Sequence, residues 1–135
     1  MIIRTHNREY IPQIIALSKN IEKNCEDAVL LQCLEKGITS LSHIVLINID
    51  TDDVITDYGY GKLSTFENEP CLYIHSLYIN PKNKQVGDML LFELNKYAGE
   101  HDAKNIYALT YRNPKAFERA YGFKFECYVI KKEVS

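Results

Sequence analysis

No apolar run in this sequence is long enough to cross a bilayer. The longest, at 44–49, falls far short of the ~20 residues that a spanning helix needs. Residues 1–9 lack the apolar core of a signal peptide, so a cytoplasmic protein with no membrane partner is expected. Excess positive charge is missing as well. Sixteen Lys and Arg against eighteen Asp and Glu give a formal net charge of -2, which removes the long-range attraction on which nucleic-acid binders rely. A phosphate-bearing ligand must therefore be met by local groups. The four cysteines, Cys25, Cys33, Cys71 and Cys127, form no CxxC pair, and their wide spacing fits reduced thiols packed in a core. His6, His43 and His101 show no metal-ligand spacing, and no Cys/His or Ser/His/Asp arrangement is recognisable. No metal site is expected.

What is present fits a single domain over residues 1–135, with 46% hydrophobic and 25% charged residues and no repeat or linker. Residues 2–5 read as a strand. Ile11, Ile14, Ile15 and Ile21 recur near helical spacing behind Asn7, a good N-cap, and Leu30, Cys33 and Leu34 mark a second helix over 26–36 that Gly37 closes. Three β-rich runs follow, at 43–50, 55–66 and 71–80, separated by turn residues, and they predict an antiparallel meander. The period then changes: Leu90, Leu94, Tyr97 and Ala98 define a helix over 87–100. A strand at 105–112, a short helix at 114–120 and a last strand at 123–132 complete the order β-α-α-β-β-β-α-β-α-β. This order predicts an α+β (mixed α/β) three-layer domain, in which the third helix crosses between two parallel strands.

The segment between strand and crossover helix is the most informative. Backbone N–H groups freed at that helix start, with Lys82, Lys84 and Gln85 just ahead, make a cradle for a pyrophosphate; the alternative is a plain loop with solvated lysines. Two motifs carry a wider likeness. The first runs Leu77-Tyr78-Ile79-Asn80-Pro81 and then Lys84-Gln85-Val86-Gly87-Asp88-Met89; the second runs Asn113-Pro114-Lys115-Ala116-Phe117-Glu118-Arg119-Ala120-Tyr121-Gly122-Phe123. In order and at this spacing they resemble the strand-four pyrophosphate loop and the late Gly-Phe helix of the GNAT superfamily of acyl-CoA-dependent N-acetyltransferases, over essentially the whole chain. Lys84 stands where the family has Arg or Gln, Met89 stands where it has Gly or Ala, and Asp88 adds a negative charge beside the anion site.

The resemblance implies a mostly antiparallel sheet of six to seven strands with a splayed, parallel fourth and fifth pair. It implies acetyl-CoA as co-substrate and no metal. Leu77, Tyr78 and Ile79 would hydrogen-bond the pantetheine arm. Lys84, Gln85, Val86, Gly87, Asp88 and Met89 would surround the pyrophosphate, with Asn113 and Phe117 beside the cofactor. One strand amide would polarise the acetyl carbonyl, an effect whose loss costs ~2.7 to 4 kcal/mol. The acceptor amine, on a small molecule or a protein, attacks directly in a ternary complex and must first lose a proton. His75 has the side chain best suited to take it, with Tyr73 two residues earlier at another position where family members place a base; strict alternation alternatively makes His75 a core histidine beside Tyr73, Leu77 and Ile79. The family's thiolate-protonating Tyr falls here on Glu118, next to Phe117, which leaves Tyr121 or Tyr111 as substitutes. Asp50, Asp52, Asp53, Glu67 and Glu69 either attract a cationic amine or are solvated turns, and Tyr58 and Tyr60 either line a slot or form an aromatic strand face. The departures at Asp88, Met89 and the missing Tyr motivate another reading, a catalytically impaired protein of this fold acting as a binding or inhibitory module. A structural homodimer joined along the last strand is a third.

Overall fold

The computed structural model describes residues 1–20, 27–109, 115–124, 126, 130 and 132–134, with only the backbone of 116 and 117. The chain begins with strand β1 (Ile2–Arg4). Asn7 accepts a hydrogen bond from the Glu9 amide and starts a 3-10 turn that runs directly into helix α1 (Ile11–Ser18), whose first turn carries Pro12. Helix α2 spans Asp27–Gly37. The meander follows as β2 (His43–Ile49), β3 (Ile55–Phe66) and β4 (Glu69–Tyr78), then helix α3 (Lys84–Glu100), β5 (Asn105–Ala108) and helix α4 (Lys115–Tyr121). Gly122 closes α4 in the left-handed region at φ +72, where its amide reaches back to the Glu118 carbonyl.

The sheet order is β1-β2-β3-β4-β5, antiparallel except for the β4/β5 pair. Five strands are present among the described residues, against the six to seven expected. The last of those expected, at 123–132, lies mostly outside the described residues, and 123 and 124 are not in a strand. Alternation sorts the sheet's side chains into two cores. Toward α1 and α2 lie Ile14, Leu30, Leu34, Val45, Ile47, Tyr58 and Tyr60. Toward α3 lie Ile44, Leu46, Leu72, Ile74, Leu90 and Leu94. Gly59 and Gly61 face α3 with no side chain, and a Cβ there would stand 3.2 Å from the Leu77 methyl and 3.0 Å from that of Leu72. Neighbouring leucines thus fill the space over β3.

Two irregularities of β4 position the site. Tyr60 pairs with Ser76 but Gly61 pairs with Ile74, so His75 is an extra residue bulged out of the ladder. The bulge reverses the alternation: Leu72 and Ile74 before it, and Leu77 and Ile79 after it, all pack on the α3 side. Strict alternation, which groups His75 with Leu77 and Ile79, is broken by this one residue. The second irregularity is the point where the described β4/β5 ladder stops. Pairing with β5 covers only Cys71 to Ile74, while β4 continues to Tyr78 with no partner on that side among the described residues.

Candidate active site

The bulge turns the His75 ring toward the α1/α2 face. There it stacks on Tyr60 at 5.1 Å and 18°, with the edge contact of Tyr73 at 4.9 Å. On its other side Tyr60 stacks with His43, whose Nδ1 lies 2.8 Å from the Tyr60 hydroxyl. That hydroxyl donates to the Cys33 carbonyl of α2 at 3.0 Å, which assigns the Nδ1 proton to His43 as donor. Gly37 of α2 lies against this pair, and a Cβ there would collide with His43 Nδ1 and come within 2.6 Å of the Tyr60 hydroxyl. The His43–Tyr60 pair is therefore clamped between the sheet and the end of α2.

Electrostatics keeps the two imidazoles neutral. Burial is the main cause that lowers the His75 pKa, helped by Lys62 and His43; burial and Lys62 lower that of His43. Burial drives the Tyr60 hydroxyl well above its usual value, so it stays a proton donor. No described residue hydrogen-bonds either ring nitrogen of His75, and neither nitrogen is buried without a partner, so at least one reaches solvent. A neutral, half-buried imidazole with a solvent-reached nitrogen can accept a proton.

The other end of β4 meets α3. Asp57, fully buried, accepts from the Asn80 amide at 2.7 Å and from Thr56 and Asn48, which turns the chain out of β4. Asn80 in turn receives the Lys82 and Asn83 amides. At the start of α3 the amides of Lys84 and Gln85 find no acceptor among the described residues, and no side chain caps them. Gly87, further into the helix, is buried, and a Cβ there would meet the Tyr121 hydroxyl at 2.9 Å and Ile79 at 3.0 Å. Val86 is likewise buried. Met89 points away, lining a shallow groove with Met1, Ile2, Asp88, Phe92 and Glu93.

Tyr121 thus sits over Ile79 and Gly87, on the opposite side of β4 from His75 and Tyr73. Burial, then Asp88 and Asp57, raise its pKa, so it holds its proton at neutral pH. Leu77 is part-buried against the α3 core and Tyr78 against the α1/α2 core. Asn113 and Tyr111 lie outside the described residues, and the Phe117 side chain is not described. The acidic turn is occupied structurally: Asp50 accepts the Asp52 and Val54 amides, and Asp53 accepts the Tyr10 hydroxyl. Tyr58 is no slot residue either, being fully buried with its hydroxyl 2.6 Å from Ser76. No group of side chains suited to a metal ion occurs among the described residues. His6 and His101 spend Nδ1 on the Ile38 and Tyr97 carbonyls. Sequence reasoning missed Asp57 and the link from His43 through Tyr60 to Cys33. An acidic residue in an apolar strand was the available sign for Asp57, whereas cross-strand stacking leaves no mark in spacing.

The fold is that of the GNAT acetyltransferases. Over its whole length the chain superposes on 99% of the aminoglycoside antibiotic 6′-N-acetyltransferase AAC(6′)-Ih from Acinetobacter baumannii, with TM-score 0.76 and 16% identity. It likewise covers 98% of AAC(6′)-Iy in complex with the bisubstrate analogue CoA-S-monomethyl-acetylneamine, with TM-score 0.77 and 12% identity. A predicted acetyltransferase with acetyl-CoA from Clostridium acetobutylicum matches 98% of this chain and 96% of its own, with TM-score 0.75 and 15% identity. No protein-family model and no curated protein matches the sequence. Among the described residues no helix is long and apolar enough to cross a membrane.

Proposed function

We propose that this single-domain protein is an N-acetyltransferase that moves an acetyl group from acetyl-CoA to a primary amine by direct attack in a ternary complex. The observation that carries this reading is the bulge that turns His75 out of β4, right where the described pairing of β4 with β5 stops at Ile74. An extended pantetheine can add to the open edge of β4 as a further strand would, at Leu77 and Tyr78. Its pyrophosphate then falls near the uncapped amides of Lys84 and Gln85, with the α3 dipole and both side chains behind it. The cofactor thus threads the sheet from the α3 face, where Tyr121 can return a proton to the thiolate, to the α1/α2 face, where the acetyl group meets the amine. On that face His75 takes the amine's proton, and Tyr73 holds the ring edge-on. The neighbours solved with CoA-type ligands support the same reading.

The test combines binding and turnover. Acetyl-CoA at about a hundred times its Kd should stabilise the protein by ~2.7 kcal/mol, seen as a rise in Tm. Thiol release should follow with an amine present, and His75→Gln should lower kcat by about a hundredfold while leaving the Tm rise in place. No rise at millimolar acetyl-CoA would refute the proposal. Asp88 and Asp57 favour a second reading, because their charges act on Tyr121, the proposed acid: a protein of this fold that binds partners without catalysis. In that case no amine releases thiol.

A further inference from the structure

The mechanism above leaves Lys62 without a task. It lies opposite His43 on one side and opposite Tyr73 on the other, so its exposed side chain rises from β3 between the two imidazole-bearing strands. Among the described residues it makes no ion pair. The charges that act on His75 come from Lys62 and His43, and on His43 from Lys62; no carboxylate is among them. Glu126, Glu67 and Glu69 act instead on Tyr107, whose ring packs on Phe66, and Asp57 of β3 is buried against Asn80, Thr56 and Asn48. Lys62 therefore makes a cationic spot beside the aromatic file of His43, Tyr60, His75 and Tyr73.

We infer that this spot recognises an anionic group on the acceptor, so that the substrates are primary amines carrying a carboxylate or phosphate a few bonds from nitrogen. The inference rests on acetyl transfer at His75, and the chemistry supports it in two ways. An unpaired ammonium beside partly desolvated rings gains most from an anion, since charge-assisted hydrogen bonds are about twice as strong as neutral ones. The same positive charge disfavours the protonated amine and so aids the loss of its proton before attack. A polycationic acceptor is repelled on both counts.

Four amines of similar size separate the possibilities: O-phosphoethanolamine, β-alanine, ethanolamine and 1,3-diaminopropane. Binding is read from the His75 imidazole signals in NMR titrations without acetyl-CoA, and turnover from thiol release. Both anionic amines should bind about tenfold more tightly than ethanolamine, the ratio expected for one such contact, and the stronger of the two identifies phosphate or carboxylate. Lys62→Glu, at an exposed position, should erase that preference and turn it toward diaminopropane. Equal binding of ethanolamine or diaminopropane by the native protein, or an unchanged ratio in Lys62→Glu, overturns the inference while acetyl transfer stands. If no amine releases thiol but the anions still shift His75 in a Lys62-dependent way, acetyl transfer falls and the anion site stands.

Discussion

The two faces of the sheet are built on opposite principles. Toward α3 the surface is almost wholly aliphatic, with Ile44, Leu72, Leu77 and Leu94 closing over the bare backbone of Gly59 and Gly61. Among the described residues its one buried tyrosine, Tyr97, sends its hydroxyl out to the Leu41 carbonyl. Toward α1 and α2 the same strands carry Tyr58 and Tyr60, fully buried but each with its hydroxyl paired, and the two imidazoles stacked on Tyr60. The difference teaches where chemistry can be placed. A dry, interlocking face holds the scaffold rigid, whereas a face of satisfied polar aromatics can keep a titratable ring in a defined orientation without making it inert.

The sharpest way to break this contrast is to cut the aliphatic face. Leu94→Ala should cost about 2 to 5 kcal/mol in denaturant unfolding, because a fully buried leucine leaves a cavity that the glycine-backed layer cannot refill. A smaller effect is expected on the polar face. Gly37→Ala should destabilise by about 1 to 3 kcal/mol through its clash with His43 and Tyr60, and should also displace the His75 ring signals in NMR, which Leu94→Ala leaves alone. The smallest effect is a pH dependence. His75 and His43 have folded-state pKa values below the ordinary imidazole value, so the unfolded chain binds more protons in the acid range. Stability is therefore full above pH ~6.5 and falls as pH drops below it toward the lowered folded values. His75→Gln should flatten that decline when unfolding is followed from pH 7.5 to 5; an unchanged slope would mean that the ring is not held neutral.

Most of the fold was legible because it is written in periods. The three meander strands appear at 43–49, 55–66 and 69–78, within two residues of expectation, and α3 begins three residues earlier than its apolar stripe indicates, at the polar Lys84. Apolar spacing marks only the buried turns of a helix, so polar first turns escape it. The site was legible in part. His75 and Tyr73 could be picked out by residue type and position, but the bulge that turns His75 toward Tyr60 arises from a mismatch with Gly61 on another strand. Gly87 shows a different limit: motif and spacing marked the position, but not that its missing side chain lets Ile79 and Tyr121 close on the helix there.

Gly59 and Gly61 have a consequence for how the protein opens. A strand with bare backbone on one side owns little of the grease that covers it, since Leu72 and Leu77 belong to β4 and Leu94 to α3. Peeling β3 away would strip shelter from side chains anchored elsewhere. The three segments are thus bound to exchange their amide hydrogens as one cooperative block, ahead of which β1, paired only to β2, can open.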